Sequence, residues 1–314
     1  MRVIRHLERA LLPPADVVLT LGNFDGVHLG HGAILARARA EASAREGCLV
    51  VLTFHPHPAA VLAPGHAPER LQSLHERLVC FAAAGADVAV VQRFTPAFAA
   101  IDAEAFVRTY LCRHLRLRHV VVGHRVSFGR GRAGSAATLT ALGASSGFSV
   151  ESLGPVSVDG EEVSSTSVRA AIAAGAMARS ARLLGRAYAL RGRVVVGDRR
   201  GRTLGFPTAN LHLPGGMMLP PDGVYAAWTE TPRGRFGVAL NIGVRPTFAG
   251  RRRTVEAHLL DFDGDLYGRW LRLELVERLR GEERFADVAA LRRAIAGDIR
   301  LAREVLARTS PSRG

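Results

Sequence analysis

The chain has 314 residues, of which 48% are hydrophobic and 22% are charged, a composition that supports two domains of ordinary size with buried cores. All 42 basic residues are arginines, since the sequence contains no lysine, and the formal net charge is +14. The lack of lysine excludes a Walker-type phosphate loop and a Schiff-base enzyme. The charge favours anionic partners such as nucleotides and phosphates.

The cysteines and the apolar runs indicate the compartment. Cys48, Cys80 and Cys112 are single and far apart, so neither a zinc knuckle nor a disulfide framework is expected. The N-terminal residues lack the long apolar region of a signal peptide, and no apolar run reaches the length of a membrane span. We therefore predict a cytoplasmic protein without a membrane partner.

Residues 1–180 alternate short apolar runs with amphipathic segments, which is typical of parallel βαβ units. Such a pattern predicts an α/β doubly wound domain whose ligands bind at the carboxyl ends of its strands. The predicted strands are 17–22, 48–54, 87–94, 119–123 and 148–153, and the predicted helices between them include 31–46, 70–84 (ending at Gly85) and 102–116 (capped by Asp102).

Residues 181–308 have a different pattern, in which short β-type segments are separated by Gly, Pro and Asp. Such spacing predicts an antiparallel barrel or sandwich, and the end of the chain has the 3-4 rhythm of a helix. The predicted strands are 188–197, 223–230, 235–243, 254–262 and 271–279, the helix follows Phe285, Val288, Leu291, Ile295 and Ile299, residues 180–186 connect the domains, and 309–314 form a disordered tail.

The first candidate site is GNFDGVHLGH (22–31), where a predicted strand leads into a helix. His28 and His31 lie three residues apart and therefore point to the same side of a starting helix. A helix N-terminus attracts anions, and Gly22, Gly26 and Gly30 let the backbone approach a phosphate. The pattern predicts that both imidazoles contact the α-phosphate of ATP during nucleotidyl transfer. One alternative is a pair of helix-capping histidines. Zinc binding is a weaker alternative, since no third ligand has convincing spacing.

VSSTSVR (163–169) precedes a helical run, so one of its hydroxyls is expected to cap that helix. The hydroxyls, the helix N–H groups and Arg169 would suit a leaving pyrophosphate. An ordinary capped surface helix is the alternative. In TFHPHP (53–58), the two prolines fix an extended loop at the ligand edge of the sheet, and loop rigidity explains it better than a metal site at His55 and His57.

GRGRAG (129–134) matches the dinucleotide fingerprint GxGxxG, but it begins several residues after the strand at 119–123. A true fingerprint opens directly from the first strand into a helix. We therefore expect a flexible loop that contacts phosphate, and we disfavour a Rossmann fold.

The second candidate site is RRGRTLGFPTANL (199–211), between predicted barrel strands. Gly201 and Gly205 permit phosphate to approach backbone N–H groups. Thr208 and Asn210 offer neutral oxygens of the kind that bind Mg²⁺ together with ATP. The alternative is a tight turn with an Asx hydrogen bond.

Glu256 lies in the predicted strand TVEAHLLDF, where it shares a face with His258 and opposes Val255, Ala257 and Leu259. A carboxylate there could accept the proton of a substrate hydroxyl during phosphoryl transfer. The alternative is a solvent-facing strand residue. The arginines at 251–253, just upstream, are predicted to form a solvated hairpin loop.

The order of these motifs resembles the bacterial bifunctional riboflavin kinase/FAD synthetase family over nearly the whole chain. The segments that carry the resemblance are GNFDGVHLGH, TFHPHP, VSSTSVR, GRTLGFPTAN, DGVYA (222–226), NIGVRPTF (241–248) and VEAHLLDFDGDLYG (255–268). The resemblance implies an N-terminal FMN adenylyltransferase domain and a C-terminal riboflavin kinase built on a six-stranded barrel. It implies Mg²⁺ as cofactor, and riboflavin, FMN and ATP as substrates.

The resemblance also assigns roles by position. It implies catalytic roles for His28 and His31 in adenylyl transfer and for Glu256 as the kinase base. The other residues that it implies are the ATP contacts Gly22, Phe24, Asp25, Gly30, Ser165, Thr166 and Arg169, the flavin contacts Pro56 and Pro58, and the kinase ATP contacts Gly201, Gly205, Thr208 and Asn210, of which Thr208 and Asn210 hold Mg²⁺.

One segment departs from the family pattern. VGxDFxFG or VGxNFxFG is usual, whereas this chain has VGHRVSFG (122–129), with Arg125 in place of the acidic or amide residue and Val126 in place of the aromatic one. A first alternative is therefore a riboflavin kinase with an impaired adenylyltransferase domain. A second, suggested only by the charge, is a non-enzymatic flavin- or RNA-binding regulator. No basic stripe interleaved with aromatic residues is present, so no nucleic-acid partner is expected.

Overall fold

The structure is a computed structural model that describes residues 1–9, 15–197, 201, 204–247 and 250–309. The chain divides into two compact units, Met1–Ser165 and Thr166–Gly314. The domain limits 1–180 and 181–308 stay a prediction.

The first unit is built on a parallel six-stranded sheet of order β1-β4-β3-β2-β5-β6. The strands are β1 (Arg2–Arg5), β2 (Val17–Leu21), β3 (Cys48–His55), β4 (Val88–Arg93), β5 (Leu117–Gly123) and β6 (Ser149–Leu153). Five of them agree with the prediction, and the doubly wound class is confirmed. The edge strand β1 was missed.

Both faces of this sheet are buried, because alternate residues of the central strands enter two separate cores. In β2, Val17, Leu19 and Leu21 belong to one hydrophobic cluster and Val18 to the other. Helices therefore cover both sides, as a parallel sheet requires. The helices are α1 (Leu29–Ala44), α2 (Pro58–Leu62), α3 (Leu74–Ala83), α4 (Pro96–Ala99), α5 (Ala103–Ala105) and α6 (Ala136–Ser146), with a small hairpin of β7 (Ser157–Val158) and β8 (Glu161–Glu162) after β6.

Local signals in the sequence explain most helix ends. Asp102 caps α5 by accepting a hydrogen bond from Ala105 N–H at 2.7 Å, and Gly85, with φ +78°, follows the end of α3. The helix predicted over 102–116 is present over 103–112, although α5 gives way to a π-helix at Phe106–Cys112 and the helical segment ends earlier than predicted. GRGRAG forms only a 3₁₀ turn at Arg130–Arg132, which excludes a dinucleotide fingerprint there.

The second unit is a closed antiparallel barrel of order β10-β13-β12-β11-β14-β9. The closure confirms the barrel and excludes the sandwich. Its strands are β9 (Tyr188–Val195), β10 (Ala209–His212), β11 (Gly223–Thr231), β12 (Gly234–Thr247), β13 (Gly250–Leu259) and β14 (Trp270–Gly281), and its helices are α7 (Ser165–Ala173), α8 (Met177–Leu184) and α9 (Val288–Arg308).

Three details of the barrel differ from the prediction. Strand β10 was not predicted, since it lies inside the glycine-rich segment at 199–211. The arginines at 251–253 belong to β13 and not to a hairpin loop, because β13 pairs with β12 along this stretch. Residues 180–184 of the predicted connection form the end of α8, and Gly185 follows with φ +72°.

Helix α9 packs on the outside of the barrel. Ala302, Val305 and Leu306 form a buried cluster with Ala226 of β11 and Ala239 of β12. Asp298 accepts two hydrogen bonds of 2.7 Å from the Arg280 guanidinium of β14, an ion pair that raises the pKa of that arginine. The predicted helix is confirmed, although it begins after Phe285 and Val288 of the predicted apolar stripe is 62% exposed.

Of the tail at 309–314, residues 310–314 lie outside the described residues. Within the part of the chain that the structure describes, no helix is long and apolar enough to cross a membrane.

Candidate active sites

The predicted histidine pair lies at the carboxyl end of β2, where the chain enters α1. His28 is 6% exposed and caps α1, since its Nδ1 accepts a hydrogen bond from His31 N–H at 3.4 Å. The two rings stack with 3.7 Å between their centroids. The first turn of α1 contains no acidic residue, so no carboxylate competes with an anion at this positive helix end. The capping alternative is therefore correct for one ring nitrogen of His28, and it leaves the anion hypothesis intact.

Glycines make room around this pair. A Cβ atom on Gly30 would lie 3.2 Å from the His28 ring, and one on Gly22 would lie 3.3 Å from the Phe24 ring. Gly26 has φ +87°, which favours glycine, and a Cβ there would lie 2.7 Å from the Leu71 side chain. The loop geometry thus depends on these glycines, and their predicted approach to a phosphate stays a prediction.

Asp25 is buried and positions backbone. Its carboxylate accepts hydrogen bonds from the N–H groups of Leu71 (3.1 Å) and Gln72 (3.3 Å). The Ser165 hydroxyl donates to the Asp25 carbonyl at 2.8 Å. The second contact joins Ser165, at the end of the first unit, to the GNFDGVHLGH loop, and the contacts give Asp25 and Ser165 supporting roles beside the ATP contacts implied for them.

Arg77 of α3 was missed by the sequence analysis and joins two loops of the site. Arg77 is 6% exposed. Its guanidinium donates one hydrogen bond to the Asn23 carbonyl through Nη1 and another to the Phe54 carbonyl through Nη2 at 3.5 Å. Burial lowers the pKa of Arg77 to about 10. The sequence did contain an indication that Arg77 is buried. Arg77 lies three residues after Leu74 and four before Phe81, which places it on the apolar face of the helix.

The Phe54 carbonyl leads directly into the predicted flavin loop. The His55–Pro56 peptide is cis, and Pro58 is the first residue of α2. His57 caps that helix, because its Nδ1 accepts a hydrogen bond from Ala59 N–H at 3.2 Å. A capping role for His57 supports loop rigidity over metal binding, as the sequence analysis favoured.

Of the other predicted nucleotide contacts, Thr166 and Arg169 lie on the first turns of α7. Thr166 is exposed and Arg169 is half-buried. Their roles stay predictions.

Arg125, the departure from the family pattern, is 67% exposed in its side chain and pairs with Glu162 of β8 through Nη2 at 2.8 Å. Its charge is therefore compensated within the same unit. Val126 replaces an aromatic residue and packs against the core of that unit.

In the barrel, the register of three neighbouring strands brings the polar side chains of the second site together. Glu256 of β13 is directly opposite Asn210 of β10 on one side and Asn241 of β12 on the other. Directly opposed residues of antiparallel strands have Cβ atoms about 4.5–5.5 Å apart, so the three polar side chains form one row. Asn241 was missed, because an isolated Asn in a strand is not informative without its neighbours.

The predicted alternation along β13 is confirmed. Val255, Ala257 and Leu259 are buried, whereas Glu256 and His258 are half-buried on the outer face. His258 Nδ1 lies 2.8 Å from the Pro207 carbonyl, so this face also holds the start of the PTAN segment.

The glycine turn before that segment is tightly closed. Gly201 accepts hydrogen bonds from the N–H groups of Leu204 (3.2 Å) and Phe206 (2.8 Å). A Cβ on Gly201 would lie 3.1 Å from Thr208 Oγ1, and a Cβ on Gly197 would lie 2.4 Å from Asn210 Nδ2. The glycine backbone thus packs closely against Thr208 and Asn210, and a side chain at either glycine would displace them.

Comparison with known proteins agrees with this division. The family model described as FAD synthetase matches residues 13–167, and the one described as riboflavin kinase matches residues 184–306. The bifunctional riboflavin kinase/FMN adenylyltransferase of Escherichia coli K12 is 42% identical over 316 residues, covering 99% of each chain. The protein of the same name from Pseudomonas fluorescens is 39% identical, covering 98% of each.

A crystal structure described as a macrolide-efflux protein from Streptococcus pneumoniae superposes with a TM-score of 0.87 at 30% identity, covering 96% of this chain and 99% of that one. A parallel nucleotide-binding unit followed by a kinase barrel defines a two-domain enzyme, a kinase joined to a nucleotidyltransferase. The chain belongs to the family of bifunctional riboflavin kinases/FMN adenylyltransferases, which confirms the resemblance found in the sequence.

Proposed function

We propose that this chain converts riboflavin to FAD in two ATP-dependent steps. In the barrel, the γ-phosphoryl group of ATP passes to a ribityl hydroxyl of riboflavin, giving FMN and ADP. In the parallel-sheet unit, a phosphate oxygen of FMN attacks the α-phosphate of a second ATP, giving FAD and pyrophosphate. One observation carries the proposal: each unit matches one half-activity, and relatives named for both activities align over nearly the whole chain.

Glu256 is the proposed base of the kinase step. Its carboxylate accepts the proton of the ribityl hydroxyl as the oxygen bonds to the γ-phosphorus and the bond to ADP breaks. The row formed with Asn210 and Asn241 supports this role, because two amide side chains beside one carboxylate can orient both the hydroxyl and the phosphate.

Thr208 and Asn210 are the proposed ligands of Mg²⁺ with ATP. Their neutral oxygens suit a hard cation that keeps most of its shell for phosphate and water. Gly197 and Gly201 support the fit, since a side chain at either position would push against Asn210 or Thr208 and displace the ligand oxygens. When bound, the ion neutralises charge on the transferred phosphate.

His28 and His31 are the proposed stabilisers of charge in the adenylyl step. Negative charge grows on the α-phosphate as the FMN oxygen attacks and pyrophosphate departs. The stacked rings at the N-terminus of α1, of which His28 is buried, are held in place before the substrate arrives, so little reorganisation is needed. Thr166 and Arg169 would hold the departing pyrophosphate, and Pro56 and Pro58 would border the flavin.

The kinase-only alternative has no support, because relatives with both activities match at 98–99% coverage. The ion pair between Arg125 and Glu162 is consistent with an active adenylyltransferase, since it adds no uncompensated charge. We place both reactions in the cytoplasm, where free cysteines such as Cys48, Cys80 and Cys112 stay reduced.

A chromatographic time course of the purified chain with riboflavin, ATP and Mg²⁺ tests the proposal. FMN is expected to rise first and then to give way to FAD. A reaction that ends at FMN when more ATP is added would refute the second step. A chain that binds RNA in a salt-sensitive manner and forms neither product would refute both steps and revive the regulator hypothesis.

A further inference from the structure

A second polar cluster lies in the first unit, near the C-terminal end of α1, whereas the histidine pair lies at its N-terminal end. It comprises Glu41 near the end of α1, His119 near the start of β5 and Glu151 of β6, and the potential ligand atoms all lie within 4.8 Å of one another. Glu41 follows His28 by 13 residues along one helix. At 1.5 Å per residue this separation is about 20 Å, so the cluster takes no part in adenylyl transfer.

The hydrogen bonds of Ser149 favour one tautomer of His119. His119 Nδ1 lies 2.7 Å from Ser149 Oγ, and the Ser149 hydroxyl in turn faces the Arg118 carbonyl at 3.4 Å. A hydroxyl has one proton, so if Ser149 donates it to the carbonyl, Nδ1 must carry the ring proton and donate to Oγ. Nε2 is then an unprotonated nitrogen that presents its lone pair to the cluster.

That lone pair points at a carboxylate. Nε2 is buried, has no hydrogen-bond partner among the residues that the structure describes, and lies 3.7 Å from Glu151 Oε2. His119 itself is 6% exposed. Two acceptors that face each other without a proton between them are unfavourable when buried. A cation between them removes the conflict.

We propose that Glu41, His119 and Glu151 bind a divalent transition-metal ion, for which Zn²⁺ is the best match. One imidazole and two carboxylates form a mixed nitrogen and oxygen set that suits Zn²⁺, whereas Mg²⁺ and Ca²⁺ prefer oxygen alone. Three protein ligands leave a fourth position for water. Ser149 is the partner that orients the ligating imidazole, as second-shell groups commonly do.

Arginines compete with the ion for the same carboxylates. Arg37 bridges the cluster, with Nε 2.8 Å from Glu151 Oε1 and Nη2 2.5 Å from Glu41 Oε1, and Arg45 Nε lies 3.2 Å from Glu41 Oε2. The Arg37 side chain is 41% exposed, so it can move into solvent when the ion binds. Arg37 contacts Glu151 through Oε1, whereas His119 faces the other oxygen, Oε2.

Titration calorimetry of the chelator-treated full-length chain with ZnCl₂ tests the site. His119→Gln is expected to remove one equivalent of zinc or to weaken it by at least about tenfold, and Ser149→Ala to weaken it by about 10–100-fold. Arg37→Gln is expected to tighten binding, because it removes the competing cation. The control His75→Gln changes an exposed histidine of α3 in the same unit and should leave the isotherm as it was.

Two results would overturn the proposal. One is an unaltered isotherm for His119→Gln when that variant still forms FMN and FAD at the parent rates, which shows that it is folded. The other is weaker rather than tighter binding in Arg37→Gln. If His119→Gln fails to fold, Co²⁺ replaces the calorimetric probe: a visible absorption band of tetrahedral Co²⁺ in the parent must disappear in Glu151→Gln, and a band that persists there refutes the site.

Discussion

The two candidate sites are built in different ways. In the parallel-sheet unit, the functional side chains lie on loops and helix starts beyond the strand ends, and buried polar groups hold those loops. In the barrel, Asn210, Glu256 and Asn241 lie on three adjacent strands, and the register of the ladder alone aligns them.

This difference decides where each site is vulnerable. A loop keeps its shape only while its backbone groups are satisfied, so the first site depends on Arg77, Asp25 and Ser165, none of which needs to touch the reacting atoms. A row of strand residues needs no such anchors, because the barrel's backbone hydrogen bonds hold it. Variants at the two sites should therefore fail for different reasons.

The variant Glu256→Gln should have the greatest effect and should separate the two reactions. Glu256→Gln should reduce the kcat of FMN formation by about 10²–10⁴-fold, since an amide cannot accept the hydroxyl proton. FAD formation from supplied FMN should stay near the parent rate. Chromatographic rates with each substrate measure both steps.

The matched control for Glu256→Gln is Glu277→Gln, the same change at an exposed carboxylate on barrel strand β14. It should leave both rates unaltered. Equal loss of both reactions in Glu256→Gln would break the two-site assignment.

The reciprocal variant is His28→Ala. It should lower FAD formation by about 10²–10³-fold by removing one stabiliser of the α-phosphate charge, and it should leave the kinase step intact. The exposed His66 provides the control His66→Ala. Unaltered FAD synthesis in His28→Ala, measured from FMN and ATP, would remove His28 from the site.

A smaller effect is expected from the loop anchor. Arg77→Met removes one donor each from the carbonyls of Asn23 and Phe54, and the loss should cost about 1–3 kcal/mol in the free energy of unfolding. Because both loops shift, the KM for FMN should also rise. Denaturant unfolding and FAD kinetics measure the two effects.

Arg108→Met is the control for the anchor, since Arg108 forms an exposed ion pair with Glu104. Arg77→Lys should recover part of the stability, because it keeps the charge but cannot span both carbonyls. A loss of kinase activity in Arg77→Met that equals the loss of FAD formation would contradict a local anchoring role.

The smallest expected effect concerns the departure from the family pattern. Arg125→Ala should alter stability by less than about 1 kcal/mol, since exposed ion pairs contribute little. FAD formation should stay within about twofold of the parent. Arg125→Asp, which restores an acidic residue, should not raise FAD output. A clear gain from that change would identify Arg125 as a lesion.

Most of the fold and the motif positions followed from local patterns in the sequence. Five of the six sheet strands and five of the six barrel strands were predicted, because long apolar or alternating runs specify a period by themselves. The strands that were missed, β1 and β10, have only four residues each. Such short segments become strands because a neighbouring strand offers hydrogen bonds, and that neighbour is remote in sequence.

Local patterns were enough to predict the two kinds of domain, the order of their motifs and the residues expected to meet phosphate, because glycines, histidines and periodic apolar residues act over a few positions. The side chains that support these site residues could be identified only from the folded chain. Arg77 meets Phe54 across 23 positions, and Asn241 meets Glu256 only through strand register. The physical reason is that satisfying a buried polar group is a property of the folded surroundings and not of any short stretch of chain.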